Sequence, residues 1–311
     1  MQRNYARFRQ HPGIKGTKMG PILRLFETEE DMIIPLKNII STPIQKVGKI
    51  WVKREDLFNV YGANGAKARS CFYLVNNAKM QGFKAITTAG SRKSPQINIV
   101  AQICKHLDLK FVAHCPMGVL SSELLEAQKA GAEIVQHRAG YNSVIVARAK
   151  TYAKENKAYE VPFGMMCREA VSQTFYQVTD LPKAKRIVIP VGSGMNLSGL
   201  LHGLKQANNP IKVLGVVVGA DPVKTLNRFA PKDWADRVEL VRAGVDYHHE
   251  EKNNIIGDIV VDPIYEAKCL KFLEDGDLFW IIGIRSSLLE NQPLHSYFDE
   301  PIEPMLTQKE S

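Results

Sequence analysis

Three short stretches of the chain hold residues that can do chemistry. The first is Val191-Gly192-Ser193-Gly194-Met195-Asn196-Leu197-Ser198-Gly199, where an apolar run gives way to a helical pattern. Backbone N–H groups in such a loop, backed by the helix N-terminus, can cradle a phosphate, and glycine lets the backbone come close to the anion. The same residues also suit a tight strand-to-helix turn. Leu197 breaks the dinucleotide pattern G-x-G-x-x-G, and no Gly-Lys-Ser/Thr follows as an ATP-binding P-loop would need. The second stretch is Gly65-Ala66-Lys67-Ala68-Arg69. A lysine at a helix entrance among small residues becomes a nucleophile if the fold strips its amine of water; otherwise it is a surface lysine. The third is Asp262-Pro263-Ile264-Tyr265-Glu266-Ala267-Lys268, after the apolar run Asp258–Val261. Tyr265 and Glu266 can bring a phenol and a carboxylate to the strand-end crevice where open α/β sheets bind ligands, or they can cap a helix.

Two further motifs read as structural. Tyr247-His248-His249-Glu250-Glu251 sets two histidines side by side without a distant partner at ligand spacing, which describes a solvated loop and no metal site. Pro162-Phe163-Gly164 reads as a turn, and Met165 and Met166 as packing residues.

The elements that must position these residues follow from the apolar pattern. Strands are expected at Lys49–Arg54, Lys84–Ala89, Lys110–Cys115, Glu133–His137, Ala158–Pro162, Arg186–Val191, Lys212–Gly219, Val238–Val241, Asp258–Val261 and Leu278–Gly283. Helices are expected near Ala66–Lys79, Pro95–Leu107, Ser121–Ala130, Ser143–Asn156, Arg168–Val178, Leu197–Gln206 and Tyr265–Leu273. This alternation is that of an α/β fold with mostly parallel sheets. The 311 residues suffice for two lobes, and the lack of a Ser- or Pro-rich linker implies that the lobes interlock. With 45% apolar and 23% charged residues the chain is neither disordered nor low in complexity, and no run of ~18 apolar residues points to a membrane span. The 41 basic and 32 acidic residues leave a net +9. Arg3, Arg7, Arg9, Lys15, Lys18 and Arg24 all precede Glu27, so residues 1–26 form a basic arm, either a solvated tail or a contact for nucleic acid. The five scattered cysteines, with no C-x-x-C, suit reduced thiols in a cytoplasmic protein.

Taken in order, these motifs resemble the fold-type II pyridoxal-5′-phosphate enzymes (the tryptophan synthase β family), and most of all their aminocyclopropane-carboxylate deaminase and D-cysteine desulfhydrase branch. The resemblance runs from Thr42-Pro43-Ile44 to about Gly283 and includes Lys53-Arg54-Glu55-Asp56. It implies two interlocked three-layer domains, a large cofactor-binding one at 1–68 and 158–311 and a small one at 69–157. It implies Lys67 as the lysine that binds pyridoxal 5′-phosphate as an imine. Gly192, Ser193, Gly194, Met195 and Asn196 would form the phosphate loop, Tyr265 would be a catalytic-site phenol, and Glu266 would face the pyridine nitrogen. It further implies a small amino-acid substrate, lyase-type chemistry at its α- or β-carbon, and a homodimer.

Two segments depart from that branch. A Gln-Ser-Asn-His segment is replaced by Gly90-Ser91-Arg92-Lys93-Ser94-Pro95-Gln96, in which Ser94 keeps the reactive serine's place, and a Thr-Gly-Gly by Ile282-Gly283-Ile284, followed by Arg285. Arg92, Lys93 and Arg285 point to a more anionic substrate. Two alternatives to the lyase therefore stand: an enzyme acting on an amino-acid-modified base in nucleic acid, as in phage DNA hypermodification, and a degenerate protein that kept the fold without turnover, for which Pro95 and Ile282 argue.

Overall fold

In the computed structural model, which describes residues 32–34, 36, 40–138, 141–285 and 288, the apolar runs become two separate main sheets. The basic arm at 1–26 lies outside the described residues. The chain enters through an antiparallel pair, β1 (Ile44–Val47) and β2 (Ile50–Arg54). A 3-10 turn at Glu55–Leu57 and two short strands, β3 (Asn59–Val60) and β4 (Ala63–Asn64), lead into the long helix α1 (Gly65–Met80). Alternation follows: β5 (Ala85–Ala89), α2 (Gln96–His106), β6 (Lys110–Pro116), α3 (Ser122–Lys129), β7 (Glu133–His137), α4 (Asn142–Glu155) and β8 (Tyr159–Val161). These strands make a parallel sheet in the order β7-β6-β5-β8.

After a turn at Phe163–Met165 come α5 (Arg168–Phe175), β9 (Ile187–Val191), α6 (Met195–Gln206), β10 (Val213–Val217), α7 (Val223–Phe229) and β11 (Val238–Arg242). A small hairpin, β12 (Ile255–Ile256) and β13 (Ile259–Val260), precedes a 3-10 helix at Glu266–Phe272 and the last strand, β14 (Leu278–Ile281). The second sheet runs β1-β2-β14-β9-β10-β11 and is parallel except for β1 at its edge.

Strands β9, β10 and β14 are buried along their whole length, as parallel strands covered on both faces must be, which is why they read as unbroken apolar runs. Pro190 stands inside β9 and has no N–H to give to a ladder. Accordingly, β9 pairs with β14 only at Ile187 and Val188, while it follows β10 through Val191. The two strands part before the glycine loop begins, at the point where the sheet order reverses, which is where open α/β sheets bind their ligands.

Three expectations change. The apolar run Asp258–Val261 supplies only β13, in a hairpin outside both main sheets, and the helix expected at Tyr265–Leu273 is a 3-10 helix. Met166, expected in the core, is exposed, whereas Met165 is buried. The sequence pattern missed the short elements β1, β3, β4, β12 and α7.

Candidate active site

The start of α1 is docked on the end of β14. The Ala66 amide donates to the Ile282 carbonyl at 2.8 Å. Gly65 has φ +84°, and a Cβ there would lie 2.6 Å from the Ile282 carbonyl oxygen and 2.8 Å from Gly283 Cα, so no other residue fits this close approach. Lys67 follows within the first turn. Its side chain keeps part of its surface open while the amine is enclosed. Burial lowers the amine's pKa from the ordinary 10.5, the Arg285 guanidinium pushes the same way, and Cys71, one turn further along α1, opposes them.

The glycine loop caps β9 and opens α6 through Gly194, at φ +89°. A Cβ on Gly192 would lie 2.0 Å from the Tyr265 hydroxyl, so the phenol rests directly on this glycine. The Ser193 hydroxyl donates to the Gly164 carbonyl at 3.0 Å, tying the loop to the Pro162–Met166 turn. Met195 is buried in the core and can offer a ligand only its backbone, and the Asn196 amide oxygen accepts from the Thr174 hydroxyl at 3.2 Å. At the first turn of α6 the backbone N–H groups have no partners within the helix, which suits an anion.

Two routes of contact link Lys67 to this loop. On one side, Cys71 Sγ lies 3.5 Å from Met165 Sδ, beside Gly164 and hence Ser193. On the other, Gly65 abuts Gly283, whose amide, like that of Ile282, donates to Glu266 Oε1 at 3.2 and 3.1 Å; Tyr265 then reaches Gly192. Burial raises the Glu266 carboxyl well above the ordinary 4.5, the nearby Asp262 carboxylate adds to the shift, and the two amides hold it back. The Tyr265 phenol is likewise raised well above 10.0, first by burial, and stays protonated.

Ser94 lies in the loop after β5, where its hydroxyl accepts from the Gln96 amide at 3.3 Å. Gln96 is structural: its side chain donates to Thr88 Oγ1 at 3.0 Å and to the Pro162 carbonyl at 2.9 Å. Arg92, Lys93 and Arg285, expected to meet an anionic substrate, are engaged within the protein. Arg92 donates to the Val119 carbonyl at 3.0 Å, Lys93 Nζ stands 3.8 Å from Glu250, and Arg285 Nε stands 2.9 Å from Asp262.

One group escaped the sequence reading. Tyr247, expected in a solvated loop, is half-buried; burial raises its phenol's pKa from the ordinary 10.0, and the neighbouring Arg285 and Ser91 side chains oppose that rise. The fully buried Lys268 fixes it by donating to the Asp246 and Tyr247 carbonyls at 2.8 and 2.9 Å. His248, His249 and Glu250 are exposed as expected. The opening motif serves as framework: Arg69 of α1 pairs with Glu55 at 3.2 Å, and Glu55 accepts from the Thr42 hydroxyl.

A lysine of lowered pKa and a glycine loop, linked by two routes of contact in a mostly parallel α/β fold, suit an enzyme built around a phosphorylated carbonyl cofactor. The chain belongs to the pyridoxal-phosphate-dependent enzyme family, whose model matches residues 35–268. Among its relatives are a "Glycyl-dTMP PLP-dependent decarboxylase" of Pseudomonas phage M6, 24% identical and covering 75% of this chain and 94% of that protein, and a "Putative 1-aminocyclopropane-1-carboxylate deaminase" of Pyrococcus horikoshii, 25% identical and covering 76% and 84%. The fold matches that of a crystallised ACC deaminase homologue at a TM-score of 0.68, with 23% identity over 78% of this chain and 89% of that one. It also matches Escherichia coli diaminopropionate ammonia lyase at 0.59, with 13% identity over 82% and 85%. The cofactor is pyridoxal 5′-phosphate, and the residues present fit it: a glycine loop at the start of a helix whose first N–H groups lack helical partners, an amine with lowered pKa, and a buried carboxyl.

Proposed function

We propose that the protein is a lyase-type enzyme acting at the α- or β-carbon of a small amino acid, with Lys67 as the residue that holds the cofactor covalently. The observation that carries this reading is the convergence of Lys67 and the glycine loop on one crevice by two separate routes of contact. Gly192, Ser193, Gly194, Met195 and Asn196 would hold the phosphate through backbone N–H groups, and Glu266 would serve the pyridine nitrogen. When bound, the cofactor supplies an electron sink for negative charge at the substrate's α-carbon. The chain's own residues do the rest. The lowered pKa of Lys67 leaves its amine uncharged at a lower pH than an ordinary lysine, so it can take and return a proton at the α-carbon. Tyr265 holds its proton on the phosphate side, Ser94 is a hydroxyl on the loop opposite, and Glu266, seated on two amides, is held rigidly. The division into a large domain at 1–68 and 158–311 and a small one at 69–157 belongs to the same proposal, as do a homodimer and a cytoplasmic location. Among the described residues no helix is long and apolar enough to cross a membrane.

The test is α-proton exchange from a panel of D- and L-amino acids in deuterated buffer. Exchange with one substrate, lost in Lys67→Ala, supports the reading, whereas no exchange with any favours the degenerate scaffold.

The phage relative favours a second reading, in which the amino acid is carried on a nucleotide or a modified base. With Arg92, Lys93 and Arg285 engaged internally, this reading rests on that relative and on the basic residues of 1–26. Nucleic-acid binding that weakens steeply with salt supports it, and no binding at low salt excludes a polymer substrate.

A further inference from the structure

Past β14 the chain runs over the start of α1 and places Arg285 in the interior. Its guanidinium meets three segments at once. Nε lies 2.9 and 3.2 Å from the Asp262 carboxylate oxygens, Nη1 donates to the Lys93 carbonyl at 2.5 Å, and the Tyr247 phenol is a near neighbour whose pKa, raised by burial, the guanidinium lowers. Asp262 is held in turn by the amides of Ile264 and Tyr265, at 2.8 and 3.0 Å. Lys93 belongs to the other sheet: it sits in the loop after β5 that carries Ser91 and Ser94. One side chain thus spans the crevice between the segment bearing Tyr265 and Glu266 and the loop bearing Ser94.

We propose that Arg285 is a positioning residue, a buried strut that ties the Ser91–Ser94 loop to the Asp262–Glu266 segment and so fixes the crevice beside Lys67. The planar fork of arginine is what the role demands, because its donors point in fixed and different directions toward acceptors on separate segments. A lysine carries the charge but cannot keep that set of contacts. The strut rests on the cofactor reading only for what crevice geometry does to turnover. Its charge has a separate effect, since a cation beside Lys67 favours the free amine.

The experiment is amide hydrogen exchange on cofactor-free protein, comparing wild type, R285K and the double variant R285M/D262N. The double variant removes both buried charges together, and D262N keeps a side-chain oxygen for the Ile264 and Tyr265 amides. Exchange across Gly90–Gln96 is expected to speed up roughly tenfold or more in both variants while β5 and α1 keep their wild-type rates. The pH midpoint for capture of pyridoxal phosphate at Lys67 is expected to rise in R285M/D262N and to stay put in R285K, which keeps the cation. Wild-type exchange in that loop in either variant overturns the strut; if the double variant does not fold, R285K alone decides. Failure of the wild type to capture the cofactor at Lys67 overturns the cofactor reading instead and leaves the exchange result to stand on its own.

Discussion

The amine of Lys67 and the carboxyl of Glu266 are shifted in opposite directions by one cause, removal from water, and each shift has a sign that can be measured. A depressed lysine is uncharged at lower pH, so the rate of cofactor capture should reach its plateau below the ordinary lysine value of 10.5. A plateau that waits for that value contradicts the enclosed amine. For Glu266 the folded carboxyl holds a proton that the unfolded chain has released, from the ordinary 4.5 upward. Stability therefore falls as pH rises through that window, and Glu266→Gln should flatten the fall in melting temperature measured on cofactor-free protein. At Gly192, an added methyl must displace the Tyr265 hydroxyl. Gly192→Ala should weaken cofactor affinity about tenfold or more, a loss of about 1.4 kcal/mol, read by equilibrium titration. Lys67, Tyr265, Glu266 and the glycine loop stood out as candidates because each sits in a contiguous motif at an element boundary. Tyr247 was not: its partners Ser91 and Arg285 are far away in sequence, and nothing local distinguishes it from a loop tyrosine.

Elements meet most closely where glycines remove a Cβ. A Cβ on Gly199 of α6 would lie 2.4 Å from the Val171 carbonyl and 2.6 Å from Thr174 Cβ, both on α5. Gly199→Ala should cost about 1–3 kcal/mol despite alanine's better helix propensity, measured as a lower melting temperature, because two buried helices must separate. The parallel sheets were visible as apolar runs between helical patterns, whereas the early end of the β9–β14 ladder, next to Pro190, was not read from the sequence. Two elements misled for physical reasons. Asp258–Val261 is apolar enough for a core strand, yet Gly257, at φ +61°, turns it back on β12. The segment after Asp262 has helical composition, but Asp262 holds the Ile264 and Tyr265 amides with its side chain, and the chain tightens into a 3-10 helix.

At the scale of the molecule, the proposed cofactor site draws on segments from both sheets, joined through α1, so cofactor binding and folding should be linked. Pyridoxal phosphate at about 100 times its dissociation constant should stabilise the protein by about 2.7 kcal/mol, seen as a rise of several degrees in melting temperature that pyridoxal without phosphate does not reproduce. The departures at Pro95 and Ile282, read as signs of lost turnover, leave the scaffold intact: Pro95 stands at the N-cap of α2, and Ile282 serves through its backbone, giving its carbonyl to Ala66 and its amide to Glu266. The central claim is tested most directly by reducing the cofactor-loaded protein with borohydride and mapping the modified peptide. The account predicts a single phosphopyridoxyl group on Lys67, absent in Lys67→Ala. A label on another lysine, or a protein that binds the cofactor without any reducible bond, would contradict it.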